Sequence, residues 1–206
     1  MPRLPEFDRT EVVQSALEVF WKDGYESSTI EKLLGAMGLN RGSLYGAFGG
    51  KERLFREVMD HYVGFMFNIL ESTLLGRPDP VDAIRSFLER VSVLEPTDTR
   101  TRGCLLFNTI SELAHTKPHL AAEASAKVGL LRDLFIQRLG EAREQQLIRD
   151  DATLEELADY LIALAAGLRM RCKMHTASGT LQKIVDMGLG TILRQSTPDK
   201  AITLNS

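Results

Sequence analysis

The segment from Thr29 to Lys51, TIEKLLGAMGLNRGSLYGAFGGK, confines the chain to two short helices folded about a glycine turn, and few folds accommodate that unit. Ser28 and Glu31 have the S-x-x-E spacing of a capping box, so a helix is expected from here, with Ile30, Leu33, Leu34 and Met37 on one apolar stripe. Gly38 breaks it. Leu39 is apolar where the turn must tuck back, and Asn40 suits the N-cap of a next helix whose Leu44 and Phe48 share a face. The opposite face carries Arg41, Gly42, Ser43, Tyr45 and Gly46, a set poor for burial. Gly42 and Gly46 each cost roughly 1 kcal/mol relative to Ala inside a helix. Close approach of this backbone to another molecule would account for that cost.

The spacing is that of a helix-turn-helix, and the exposed set suits phosphates and base edges. Upstream, Asp8 and Glu11 form a second cap-like pair, Phe7 and Val12 take staple positions, and Val13, Leu17 and Phe20 continue a helical stripe until Gly24. Downstream, Gly49 and Gly50 make a corner before Lys51 opens a long apolar helix through Leu54, Phe55, Val58, Met59, Tyr62 and Met66. With ALEVFWKDGYESSTI and GLNRGSLYGAFGGKERLF in place, the chain resembles the TetR family of transcriptional regulators over roughly its first sixty residues. That resemblance implies phosphate contacts for Tyr45 and Lys51, a backbone-gripping hydroxyl for Thr29, and major-groove positions for Arg41 and Ser43. Asn40 and Gly42 complete the expected DNA-binding set. Gly46 and Ala47 depart from the family's usual His or aromatic, and Gly50 from its usual Ser, Asp or Asn cap.

The whole chain has a formal net charge of -3, so no global field draws it to DNA and the basic footprint must be local. Arg41, Lys51, Arg53 and Arg56 supply it, opposed in that stretch by Glu52. At 206 residues and 44% hydrophobic content, the length fits a small module plus a larger domain. We expect an all-α fold: an N-terminal three-helix helix-turn-helix module over residues 7–66, joined to a larger helical ligand-binding and dimerisation domain over 67–195, with a tail over 196–206. Met1 to Glu6 and Thr197 to Ser206 read as disordered ends. The two cysteines, Cys104 and Cys172, have no metal-ligand spacing and fit a reducing cytoplasm. No secretory segment or membrane span is visible, no cofactor or metal site is expected, and neither HExxH, a glycine-rich phosphate loop nor a serine elbow supports an enzyme. His115 and His119 would pair only on a helix running through Pro118. A helical module binding protein partners without DNA is the alternative of another class.

Beyond residue 75 the pattern stays helical. Asp79 and Pro80 mark one start, Glu95 to Gly103 a loop, Cys104 to about His115 a helix, and Pro118 the start of a long one. Thr153 and Glu156 cap Leu154 to Met174, and Ser178 caps the last helix, through about Leu193. These last two helices are apolar on more than one face, so one face is expected to meet the chain's own core and another its twin. The resemblance implies dimerisation through such a pair, with Leu161, Leu164, Leu168, Ile184, Leu189 and Ile192 as candidates. Small residues Ala165, Ala166, Gly167, Gly188 and Gly190 would permit close approach.

Cys104, Asn108, Ser111 or Glu112, and His115 recur at helical spacing as a polar stripe in RGCLLFNTISELAHT, which reads either as a solvent face or as a cavity wall. The resemblance implies an effector cavity between the central helices, with Phe65, Phe87, Cys104, Phe107, Asn108, Glu112, Phe135 and Arg169 as candidates to line it. Arg169 fits an anionic ligand or ordinary carboxylate partners. An alternative is a thiol sensor of electrophiles or oxidants at Cys104, activated by Arg100, Arg102 and a helix N-terminus. The expected partners are a double-stranded DNA operator, a small-molecule effector and a second copy of the chain, with repression as the family default.

Overall fold

The computed structural model describes residues 7–92 and 102–194, and within them the chain is helical apart from short connections and one isolated bridge between Ile148 and Leu193. The expected disordered ends and most of the expected Glu95–Gly103 loop lie outside the described residues. The helices are α1 Arg9–Asp23, α2 Ile30–Met37, α3 Arg41–Phe48, α4 Lys51–Leu70, α5 Pro80–Ser92, α6 Leu105–Leu113, α7 Pro118–Glu144, α8 Leu154–Lys173 and α9 Ser178–Ile192, with a π-helical turn at Glu71–Leu75 after α4. Among the described residues no helix is long and apolar enough to cross a membrane.

Local chemistry explains most of the helix ends. Asp8 caps α1, accepting from the N–H groups of Thr10 and Glu11, and Gly24 ends it at φ 79°. The full reciprocal box forms at Thr153 and Glu156 before α8. Asp79 accepts the Asp82 N–H at 2.7 Å, with Pro80 at the first position of α5. Two caps differ from expectation. Thr29, rather than Ser28, caps α2, because the fully buried Ser28 hydroxyl turns back to donate to the Gly24 carbonyl at 2.5 Å. Ser178 is the first residue of α9 and not its cap; Ala177 holds that place without a side-chain hydrogen bond.

Two hydrophobic cores are formed among the described residues. The first joins α1 to α4 around Phe20, Tyr25 and Phe55, whose rings meet edge-on at 4.8 Å for Phe20 and Phe55 and 4.9 Å for Tyr25 and Phe55. It also takes in Leu105, Leu106 and Leu113 of α6 and Leu120, Ala121 and Ala124 of α7. The N-terminal module is therefore seated on the larger domain through shared apolar surface. The second core fills the space among the end of α4, α5, the second half of α7, α8 and α9, with Phe87 and Phe135 edge-on at 5.5 Å. Since Tyr62 belongs to the first core and Ile69 to the second, α4 is the spine common to both.

This packing revises the expected dimer surface. Leu161, Leu168, Leu189 and Ile192 are completely buried in the protomer's own second core, so they cannot meet another chain without unpacking it. Leu164 and Ile184 are half-buried. Gly188 serves the crossing of α8 and α9 inside the protomer, since a Cβ there would run into the Leu164 side chain and Tyr160 donates to its carbonyl at 3.3 Å. What α8 and α9 leave outward is a different set: Ala163, Gly167, Met170 and Met174 at i, i+4, i+7, i+11, and Met187 with Gly190.

Phe20 is enclosed at the junction of α1, α4 and the Tyr25 turn, stacked on Tyr25 and edge-on to Phe55. Phe20→Ala should lower the unfolding free energy by about 3 to 5 kcal/mol, measured by denaturant titration with circular dichroism.

Candidate nucleic-acid interface and effector cavity

Asn40 builds the exposed face of α3. Its side chain accepts the Ser43 N–H at 2.8 Å, which starts the helix with Leu44 and Phe48 turned into the core. Arg41, Gly42, Tyr45 and Gly46 then stand outward. Ser43 does not: it is 4% exposed, a correction to the expected groove-facing set, because its position falls on the edge of the buried stripe. Tyr45 is 48% exposed, with its ring against Gly50. Gly50 adopts φ 129°, a backbone state that side chains rarely take, and α4 starts without a side-chain cap.

The cations of this surface are held loosely. Arg41 pairs with Glu31 of α2 at 2.5 Å, both side chains more than half exposed, and such pairs contribute about 0 to 1 kcal/mol. A phosphate or base edge can displace that partner. Lys51 lies with its ammonium 4.4 Å over the Tyr25 ring and donates to the Glu26 carbonyl at 3.3 Å. Partial burial lowers its pKa below the ordinary lysine value. Thr29 is exposed, its hydroxyl accepting the Lys32 N–H at 3.3 Å.

Arg9 and Glu112 both help to hold this head in place. Arg9 of α1 makes a forked pair with Glu57 of α4 at 2.6 Å, donates to the Ala47 carbonyl in α3, and lies 4.4 Å over the Phe48 ring. Glu112 of α6 accepts the backbone N–H groups of Tyr25 at 2.9 Å and Glu26 at 2.8 Å, gripping the turn between α1 and α2. Glu112 therefore belongs to the junction with the head and lines neither lobe of the cavity beneath it.

Below the head lies a cavity of two lobes. The inner lobe, about 490 Å³ including space open to solvent, is lined by Trp21, Phe65, Phe87, Cys104, Phe107 and Arg169 among others. The outer lobe, about 960 Å³ on the same basis, shares Tyr62, Met66, Phe87, Cys104, Phe107 and Leu131 with it and opens beside Phe67 and Leu130. Phe65, Phe87, Cys104, Phe107 and Arg169 are thus brought together as expected of a wall. Asn108 and Phe135 are not among the lining residues. Asn108 donates to the Arg102 carbonyl at 2.7 Å, closing the turn before α6, and Phe135 stands behind Phe87 with no exposure. Tyr62, Met66 and Trp21 escaped sequence reasoning because their spacing reads as ordinary core stripe. The indole N–H of Trp21 donates to the Gly103 carbonyl at 3.2 Å, so a residue of the head closes one end of the cavity. Among the described residues no cluster of His, Cys, Asp and Glu could hold a metal ion.

The polar stripe of α6 is therefore divided. Cys104 faces the cavity, Asn108 the preceding turn, Glu112 the head, and His115 solvent. Arg100 lies outside the described residues, and the Arg102 guanidinium pairs with Glu18 and sits 5.8 Å over the Trp21 ring. Cys104 accepts a hydrogen bond from the Tyr62 hydroxyl at 3.5 Å.

Comparison with known proteins matches residues 12–58 to the family model described as bacterial regulatory proteins, tetR family, and residues 69–187 to the tetracyclin repressor-like C-terminal domain. An uncharacterized HTH-type transcriptional regulator of Bacillus subtilis, YezE, is 32% identical, the alignment covering 93% of this chain and all of that one. The repressor ComR of Escherichia coli is 24% identical over 91% of this chain and 88% of its own. Among solved structures, a cysteine mutant of the regulator CifR complexed with 26-base-pair operator DNA is 32% identical, with a TM-score of 0.79 over 92% of this chain and 98% of that one.

The Glu112 grip is testable by itself. Glu112→Ala removes the acceptor of the part-buried Tyr25 N–H and leaves the exposed Glu26 N–H to water, and should cost about 1 to 3 kcal/mol of stability, with faster amide exchange at Tyr25 and Glu26 as its local signature.

Proposed function

This chain belongs to the TetR family of transcriptional regulators, and from that premise we propose that it is a repressor that binds a palindromic operator as a homodimer and releases it when a small molecule fills the cavity beneath the head. The observation that carries the DNA reading is the face of α3: Arg41 and Tyr45 project from a helix whose other side is locked into the core. The relatives point the same way, ComR being named a repressor and CifR having been solved on operator DNA. A regulator of this kind works where the chromosome is, which places it in the cytoplasm.

A single short reading helix contacts few base pairs, so specificity calls for two half-sites about 34 Å apart or a multiple of that. The outward Met170, Met174 and Met187 are 55%, 61% and 75% exposed, and with the outward Gly167 and Gly190 they give α8 and α9 apolar and small residues suited to the same helices of a second copy. The cavity supplies the release. It is bounded by α4, α6 and α8 and closed by Trp21 of α1, so an occupant favours one placement of the head over another, and only that difference in affinity can shift DNA binding. A thiol switch at Cys104 has less support, since the Arg102 cation expected to activate the thiol is directed to Glu18 and Trp21.

Arg41→Ala should reduce discrimination between operator and mismatched DNA by about 1 to 3 kcal/mol, and Tyr45→Phe should weaken binding to all sequences, measured by anisotropy on an operator mapped by footprinting. An Arg41→Ala protein with unchanged affinity and selectivity would falsify the assignment of that residue. In the dimer, Met187→Glu should give folded monomers in sedimentation, whereas Leu189→Glu should unfold the larger domain because it forces a charge into the protomer core.

A further inference from the structure

The cavity wall is apolar except for Lys127 at its mouth and the groups at its inner end. There Arg169 of α8 is 8% exposed, with Nη1 donating to the Val91 carbonyl at 3.4 Å and Nη2 to the Gly103 carbonyl. Both acceptors are neutral. Among the described residues no carboxylate pairs with this guanidinium, whereas Arg138, a buried arginine elsewhere in the larger domain, has Glu141 at 2.5 Å. A guanidinium carries five N–H donors and a full charge, and an apolar site without a counterion is costly for it. Beside it, the Tyr62 hydroxyl has only the Cys104 sulfur as acceptor, a weak one. Burial holds the Tyr62 pKa well above the ordinary tyrosine value, so the phenol stays a neutral donor.

We propose that the effector is an amphiphile with a single carboxylate, the carboxylate bound by Arg169 and the Tyr62 hydroxyl and the apolar body lying among Phe65, Phe87 and Phe107. This rests on the reading of the cavity as the effector site. Lys127 at the mouth is a poorer anchor because Asp60 already neutralises it. Exposed Phe67 and Leu130, 48% and 57%, give an apolar body its way in. The choice of anchor also has a consequence for the head. The Gly103 carbonyl held by Arg169 is the one that receives the Trp21 indole N–H, so a carboxylate drawing the guanidinium away loosens a junction between α8 and α1.

Trp21 is the single tryptophan of the chain and lines the inner lobe, so its emission reports occupancy. The full chain titrated with decanoate and with decanol should bind decanoate roughly tenfold to a hundredfold more tightly, the value of a hydrogen bond to a charged partner. Arg169→Met should reduce decanoate affinity to that of decanol and leave decanol affinity unchanged, while Lys127→Gln keeps the full preference. Should Arg169→Met fail to fold by circular dichroism, Tyr62→Phe serves instead, expected to weaken decanoate and spare decanol. Equal or tighter decanol binding by the wild-type chain, or a decanoate preference that survives both Arg169→Met and Tyr62→Phe, overturns the carboxylate assignment alone. If neither probe changes the Trp21 emission, the effector-site reading of the cavity falls with it.

Discussion

The attachment of α6 to the turn between α1 and α2 is the contact on which the arrangement of head and body depends. Glu112 presents both carboxylate oxygens to the N–H groups of Tyr25 and Glu26, and Gly24 makes room: a Cβ there would lie 2.7 Å from the Glu112 Oε2. The φ of 79° at Gly24 reinforces the requirement for glycine. Charge-assisted bonds to two successive amides fix the end of α6 in position and direction. The other end, at Cys104 and Phe107, borders the cavity, about 12 Å away at 1.5 Å per residue. One short helix, α6, thus runs from the cavity wall to the grip on the head.

Electrostatics at the DNA face work by contrast with the rest of the surface. The chain is net acidic, and its exposed cations near α3 are matched by carboxylates such as Glu31 at Arg41 and Glu52 at Arg56. Exposed pairs of this kind contribute little to folding, so exchanging a carboxylate for a phosphate is nearly free of structural cost. Affinity for DNA then depends on geometry and salt more than on net charge. The protein presents few cations, but it presents them on a helix fixed at its start by Asn40 and near its end by Arg9 through the Ala47 carbonyl and the Phe48 ring.

The cavity shows the opposite economy. Its aromatic and aliphatic walls offer no polar partner along most of their length, which favours apolar bodies of many shapes and confers little selectivity among them. Apart from Lys127 at the mouth, the polar groups are gathered at the inner end. These groups, Tyr62, Trp21 and Arg169, belong to α4, α1 and α8, so the polar end of the cavity is built from the same helices that set head against body.

Local patterns in the sequence were enough for the helical class, the helix-turn-helix, the caps at Asp8, Asn40, Asp79 and Thr153, and the outward position of Arg41 and Tyr45. Each of these depends on residues within a turn or two of one another, where propensity and spacing act directly. Tertiary packing decided the rest. Whether Ser28 or Thr29 capped α2 turned on the Gly24 carbonyl, and whether Leu161, Leu189 and Ile192 faced a twin or the protomer's own core turned on how α5, α7, α8 and α9 nest. Glu112 and Asn108 share a helical stripe with Cys104, yet one grips the head and another closes a turn, because what a side chain meets is set by distant segments that periodicity does not encode. Arg169 reads in the sequence as one arginine among many, and only the burial of its charge away from any carboxylate among the described residues, at the end of an apolar cavity, sets it apart.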